Sequence, residues 1–198
     1  MIVGIDLAGS EKRPTGFCSL QGMKAECELL YTDKEILANV DKLKPKVVAI
    51  DAPLALPIGR KSLEERCNTH LRECDRELLR MKIKFFPITL GPMRMLTRRG
   101  MKLRKLIEKK GFNVIEVYPG AAQDILRMPR KQNGLDKLRK DLVKFGIKIK
   151  KEKITGDELD AITSALVGKM YVEGNYLAIG NPREILMILP KPKDYSKL

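Results

Sequence analysis

The 198 residues include 39 Lys and Arg against 25 Asp and Glu, a formal net charge of +14, with 43% hydrophobic and 32% charged side chains. That apolar share excludes a disordered polycation, and the length suits one domain that can bury a sizeable core, with or without an insertion. No run of about 18 apolar residues is present to cross a membrane, and MIVGIDLAGS lacks the basic stretch, apolar core and cleavage site of a secretory signal, so a cytoplasmic location is expected.

Met1 to Leu7 is short and rich in β-branched residues, the pattern of a buried strand, and Ala8-Gly9-Ser10 with Pro14 ends it. Thr15 to Leu20 and Lys24 to Tyr31 read as strands joined by a hairpin at Gln21-Gly22-Met23. Thr32 or Asp33 can cap a helix whose apolar positions Ile36, Leu37, Val40 and Leu43 recur at helical spacing. Lys46 to Asp51 (KVVAID) then reads as a fourth strand, buried on both faces.

Residues 52–62 are rich in Pro and Gly and read as loop, and a helix is expected from about Leu63 to Met81, followed by the Pro-interrupted FFPITLGPM. From Met93 to Lys110, Leu96, Leu103, Leu106 and Ile107 form one apolar stripe among many Arg and Lys, a basic amphipathic helix. Asn113 to Val117 (NVIEV) reads as a fifth strand, stopped by Tyr118-Pro119-Gly120. Two further helices are expected. One runs from Leu135 to Phe145, and the other opens at Thr155-Gly156-Asp157, buries Leu159, Ile162, Leu166 and Met170, and ends before Gly174. Weak strands follow near Leu177 to Ile179 and Glu184 to Leu189.

The four cysteines are too scattered for a disulfide scaffold. Cys67, His70 and Cys74 invite a zinc reading, but on one helix the two thiols would stand about 10 Å apart along the axis, too far for one tetrahedral ion. No nucleophile elbow and no P-loop is present. The charge is unevenly placed: residues 94–153 hold 19 basic and 6 acidic side chains, which is +13 of the +14. A basic block in a folded domain favours a nucleic-acid partner, DNA or RNA, with Arg94, Arg98, Arg99, Lys102, Arg130 and Lys131 as candidate contacts. The alternative is a Lys-rich solvated surface. An anionic membrane fits less well, because the charges encircle much of the helix and Trp is absent. Phe85, Phe86 and Tyr118 are either core or platforms for stacked bases.

Asp6, Asp51 and Glu116 stand within or at the end of apolar strands. If those strands are parallel neighbours, Asp6 and Asp51 lie together at their carboxyl ends, where open α/β sheets bind ligands. Buried carboxylates in company require raised pKa values or a cation. Asp157 and Asp160, three residues apart, share one face of a helical first turn, although Asp157 alone could be a routine acid at a helix N-terminus. Carboxylates without His or Cys are hard-oxygen ligands suited to Mg²⁺ or Mn²⁺, and two such ions would activate water and stabilise a leaving oxygen at a phosphodiester. On this plan the basic helices should border the carboxylate cleft.

The phrases GIDLAG, AIDAPLALP, R-x-C-D-R-E-L (Arg72 to Leu78), EVYPGAA and GDELDAITSAL, in this order from Met1 to about Gly180, resemble an uncharacterised predicted-nuclease family with an RNase H-like fold. The resemblance implies an α/β domain over residues 1–198, with a mixed five-stranded sheet of three antiparallel then parallel strands, helices on both faces and a basic helical insertion around 52–112. It also implies Asp6 as the first-strand metal ligand, Asp51 as the fourth-strand acid, and Asp157 and Asp160 as the paired acids that RuvC-type resolvases carry on their last helix. Glu116 would be a further metal ligand, or a partner for Arg72 or Arg80, and Arg72 would bind a phosphate. The expected activity is metal-dependent nucleic-acid hydrolysis. A non-catalytic nucleic-acid-binding module and a small-nucleotide phosphohydrolase or phosphotransferase are the alternatives, and a homodimer of the resolvase kind is left open.

Overall fold

A computed structural model describes residues 1–192. Strands β1 (Ile2–Asp6), β2 (Thr15–Gln21) and β3 (Lys24–Leu30) form an antiparallel meander, with Gly22 supplying the positive φ its tight turn requires. Helix α1 (Asp33–Leu43) follows, started by a Thr32–Glu35 capping box. β4 (Val47–Asp51) then pairs parallel with β1. Between β4 and the next strand lie α2 (Glu73–Arg80) and α3 (Gly91–Lys109). β5 (Val114–Val117) is followed by α4 (Pro119–Ile125), a 3₁₀ turn at Lys131–Asn133 and α5 (Leu135–Lys144). The chain continues through β6 (Lys148–Ile149), α6 (Gly156–Val172), β7 (Tyr176–Ile179) and β8 (Met187–Pro190). The eight strands are ordered β6-β3-β2-β1-β4-β5-β8-β7. Among the described residues no helix is long and apolar enough to cross a membrane.

The alternation of strand side chains divides the core. Ile2, Val47, Ala49, Ile115 and Val117 face α4, α5 and α6, whereas Val3, Ile5, Val48 and Ile50 face α1 and α3. α6 lies closest to the sheet. A Cβ at Gly4 would stand 2.2 Å from the carbonyl oxygen of Ala161, and one at Gly16 would stand 2.0 Å from that of Asp157. Glycine at those two strand positions therefore lets the first turns of α6 settle over the ends of β1 and β2. All four apolar positions expected to be buried on this helix are buried.

The sheet has eight strands rather than five, because the two C-terminal strands join it beside β5 and the short β6 pairs with β3. The helix expected from Leu63 forms only over Glu73–Arg80. Upstream of it, the Arg60 guanidinium donates to the carbonyls of Ser62, Leu63, Glu65 and Thr69, holding those carbonyls in an irregular loop where a helix would turn them toward its own amides. Tyr118-Pro119-Gly120 ends β5 as expected, and Pro119 also opens the unexpected α4, because proline at the first helical position has no amide to leave unsatisfied.

Candidate metal centre

Asp6 and Asp51 are register partners at the ends of β1 and β4, adjacent parallel strands spaced about 4.8 Å apart. Asp6 shares its face with Ile2 and Gly4, and Asp51 shares its face with Val47 and Ala49, so both carboxylates project on the side covered by α6. There α6 begins. Its Thr155–Glu158 capping box fixes the first turn, and Asp157 and Asp160 follow on the side facing the strand ends.

One cation joins three of these acids. Lys131 Nζ lies 3.0 Å from Asp6, 3.1 Å from Asp157 and 2.9 Å from Asp160. Its stem passes Gly156, where a Cβ would stand 3.0 Å from Lys131 Cδ. Gln123, buried on α4, donates its side-chain amide to Asp160 Oδ1 at 2.7 Å and to the Thr163 hydroxyl at 3.2 Å, which orients the Asp160 carboxylate.

The cluster is short of positive charge. Four carboxylates face a single ammonium, so with every acid ionised three negative charges remain. Burial pushes the Asp6 pKa up to about 7, with Asp160 and Asp157 adding to it and Lys131 opposing it. Asp51 is likewise pushed well above the carboxylate range, first by burial and then by Asp6 and Asp160. Burial lowers the Lys131 pKa, but Asp6 and Asp160 more than offset this and hold the ammonium well above its ordinary value.

Among the described residues no three Asp, Glu, His or Cys side chains are drawn together tightly enough to hold a metal ion. The oxygens instead sit at ammonium distance, about 3 Å from Lys131 Nζ, whereas Mg²⁺ demands contacts of about 2.1 Å. The donor set is nonetheless entirely hard oxygen and already surrounds a cation, which is the chemistry that suits Mg²⁺ or Mn²⁺.

Glu116 does not join the cluster. The register pairs it with Ile50 rather than Asp51, so it projects on the opposite face of the sheet. There Glu116 Oε2 accepts from the Arg72 guanidinium and from the Leu54 amide, each at 2.7 Å. Arg72 is 1% exposed and also pairs with Asp75, so it is a buried structural cation rather than a contact for a nucleic-acid backbone.

The other basic candidates divide. Arg99 is buried, donating to Asp33 and to the carbonyls of Ala8 and Tyr31, which removes it from any phosphate. Lys102 pairs with the same Asp33 from an exposed position. Arg94 and Arg98 are exposed, with Arg98 paired to Glu64. Arg130 pairs with Asp124 and lies over the Tyr118 ring. Lys131 lies inside the acidic cluster. The first turns of α3 do border the carboxylate groove, a space of about 270 Å³, but through Pro92, Met93, Met95 and Leu96. The basic side chains Arg98, Lys102, Lys105 and Lys109 line a separate hollow beside Leu56 and residues 61–64.

In the sequence, Gln123 carries no signal beyond the proline that is allowed to open its helix. Lys131 reads there as one more surface cation of the basic block.

A family profile described as "Protein of unknown function (DUF429)" matches residues 4–185, and the chain belongs to that family. No curated protein matches it significantly. Among solved structures, the chain is similar to Thermus thermophilus RuvC in complex with a Holliday junction substrate, with a TM-score of 0.51 and 14% identity over 87% of this chain and 95% of that one. It is also similar to a second Thermus thermophilus RuvC structure, with a TM-score of 0.47 and 12% identity over the same shares. The first likeness shows the fold to be RuvC-like.

Proposed function

We propose that the chain is a Mg²⁺- or Mn²⁺-dependent phosphodiesterase acting on nucleic acid, with Asp6, Asp51, Asp157 and Asp160 as the residues that would hold the metal. The observation that carries this reading is the Lys131 ammonium, held by Asp6 at the end of β1 and by Asp157 and Asp160 at the start of α6, with Asp51 beside them and negative charge left over. Perturbed carboxyl groups packed together in a groove are the arrangement a cation site requires.

A divalent ion bound there supplies Lewis-acid polarisation of a phosphoryl oxygen and a water of lowered pKa. Asp6 and Asp51 become ligands only when ionised, so their raised proton affinity links metal uptake to proton release. Gln123 holds one oxygen of Asp160, which limits how that carboxylate turns. Lys131, freed from the carboxylates, has the charge and reach to meet a phosphate oxygen in the same groove. Arg94, Arg98 and Lys105 on α3 offer sequence-independent contacts to a backbone passing along the helix. The structural neighbour of the same fold was solved with a Holliday junction, which supports a nucleic acid as the polyanion here.

The test is incubation of wild type and Asp6→Asn with linear DNA, branched DNA and RNA in Mn²⁺. Wild type is expected to cleave at least one substrate, and the variant to be slower by about 10²-fold or more, the scale on which a missing electrostatic stabiliser is felt. Cleavage unchanged in the variant, or absent from every substrate, overturns the proposal. Salt-steep binding without cleavage would favour a non-catalytic binding module instead.

A further inference from the structure

A cavity of about 160 Å³ opens beyond the ends of β4 and β5, on the far side of Asp51 from Lys131. It has about ten times the space that a single buried water needs. Its walls are apolar, including Phe85, Phe86, Ile88 and Met93, and its floor is polar, with Arg72, Asp75 and Glu116. Glu116 is 1% exposed. Its Oε2 already accepts two hydrogen bonds, from Leu54 and Arg72, while its Oε1 is buried with no partner. An orphan carboxylate oxygen in a cavity calls for a donor.

The surroundings restrict what that donor can be. A hard cation needs about six oxygens, and here Arg72 already engages Asp75 and one oxygen of Glu116 and adds its own positive charge. An anion would meet the carboxylates of Asp51, Asp75 and Glu116. What remains is a neutral donor, and walls of Phe85, Phe86, Ile88 and Met93 favour one carried on a flat apolar ring, such as an N–H edge. The mouth adds a further restriction: Phe86 lines the cavity yet is 70% exposed, a large aromatic face left in solvent beside an apolar hollow. Tyr118, whose hydroxyl donates to the Lys84 carbonyl at 2.7 Å, also lines the cavity and is held in place by that bond.

We infer that this cavity receives one unstacked nucleobase, which stacks against Phe86 and donates an N–H to Glu116 Oε1. The inference rests on the proposed nucleic-acid substrate and deepens it. Asp51 lines the cavity and stands in register beside Asp6 of the acidic cluster, so a base seated here would bring its own sugar-phosphate toward the carboxylates. Extrusion of a base into a pocket that reads its hydrogen-bonding edge is a general solution when a duplex or junction hides the reactive position.

The test uses a 12-nucleotide single strand with a central 2-aminopurine, and the same strand with a central abasic site, both in EDTA so that cleavage plays no part. The chain has no Trp to interfere with the fluorescence. Wild type is expected to bind the abasic strand at least about fivefold more weakly, as is Phe86→Ala the intact strand, the lower end of what one lost base stack costs. Glu116→Gln is expected to weaken binding of the intact strand alone. Because Glu116 also pairs with Arg72, the exposed Phe86→Ala keeps the proposal testable if the Gln variant fails to fold. Equal affinity for the two strands, or no change in Phe86→Ala, overturns the pocket. Base-dependent binding without metal-dependent cleavage by wild type would retain the pocket and sink the phosphodiesterase.

Discussion

Asp33 and Asp6 are both carboxylates held inside the fold beside a basic side chain, yet they experience opposite fields. Burial alone would raise the Asp33 pKa, but Arg99 and Lys102 more than offset it and hold the group below the carboxylate range. Asp6 is pushed up to about 7, first by burial and then by Asp160 and Asp157, which the one shared ammonium of Lys131 does not offset. Around Arg99 a single acid, Asp33, meets two cations. The guanidinium donates to Asp33, Ala8, Thr15 and Tyr31, tying α3 to the end of β3, the start of α1 and the loop after β1. At the strand ends the acids outnumber their cation four to one. The buried Arg99–Asp33 pair ties elements together, whereas the cluster short of counter-charge is the arrangement that we propose takes a cation.

The sharpest way to break this contrast is to remove Arg99. Arg99→Ala leaves Asp33 buried with only the exposed Lys102, and should destabilise the fold by about 3–5 kcal/mol in denaturant unfolding. A loss under about 1 kcal/mol would show that the pair is not structural.

The acidic cluster should respond in the opposite sense. Because the folded-state pKa of Asp6 lies above its unfolded value of 3.8, the folded state keeps a proton that the unfolded chain releases between about pH 4 and 7. The Asp6 contribution to stability is therefore full below pH 4, falls across that window, and stays low above it. Metal-free Asp6→Asn should be more stable than wild type at pH 8 by on the order of 2 kcal/mol, with the difference shrinking toward pH 4. A variant less stable than wild type at pH 8 would mean that the cluster is already balanced by Lys131.

Smaller effects refine the comparison. Gln123→Ala should weaken Mn²⁺ binding by about 10–100-fold, measured by calorimetry, because Asp160 loses the donor that orients it. Unchanged affinity would demote Gln123 to a packing residue. Lys102→Ala should cost under about 1 kcal/mol, since its side chain is 65% exposed and screened while Arg99 keeps Asp33 paired. A larger loss would place Lys102 inside the structural pair.

Much of this contrast was legible in the chain itself. Acids interrupting apolar strands mark Asp6 and Asp51, and a three-residue spacing marks Asp157 and Asp160 on one helical turn. Glu116 carries the same local signal and still lies elsewhere, because which face an acid takes depends on strand register, and one residue of offset reverses it. Arg99 and Lys131 looked like surface cations for a related reason. Lys and Arg dominate residues 94–153, and only tertiary packing decides which of them turn inward. The loop over residues 62–72 departs from its helical pattern because the guanidinium of Arg60, just upstream, captures its carbonyls.

We propose that Asp6, Asp51, Asp157 and Asp160 form a cation site in which Lys131 stands where a divalent ion would bind. Its most direct test is a calorimetric titration of Mn²⁺ into metal-free wild type and Asp6→Asn near pH 7, in two buffers of different ionisation enthalpy. The account predicts binding to wild type with net proton release, as Asp6 and Asp51 give up protons to become ligands, and binding at least about tenfold weaker, with fewer protons released, in the variant. No binding at millimolar Mn²⁺, or binding identical in the two proteins, would contradict it.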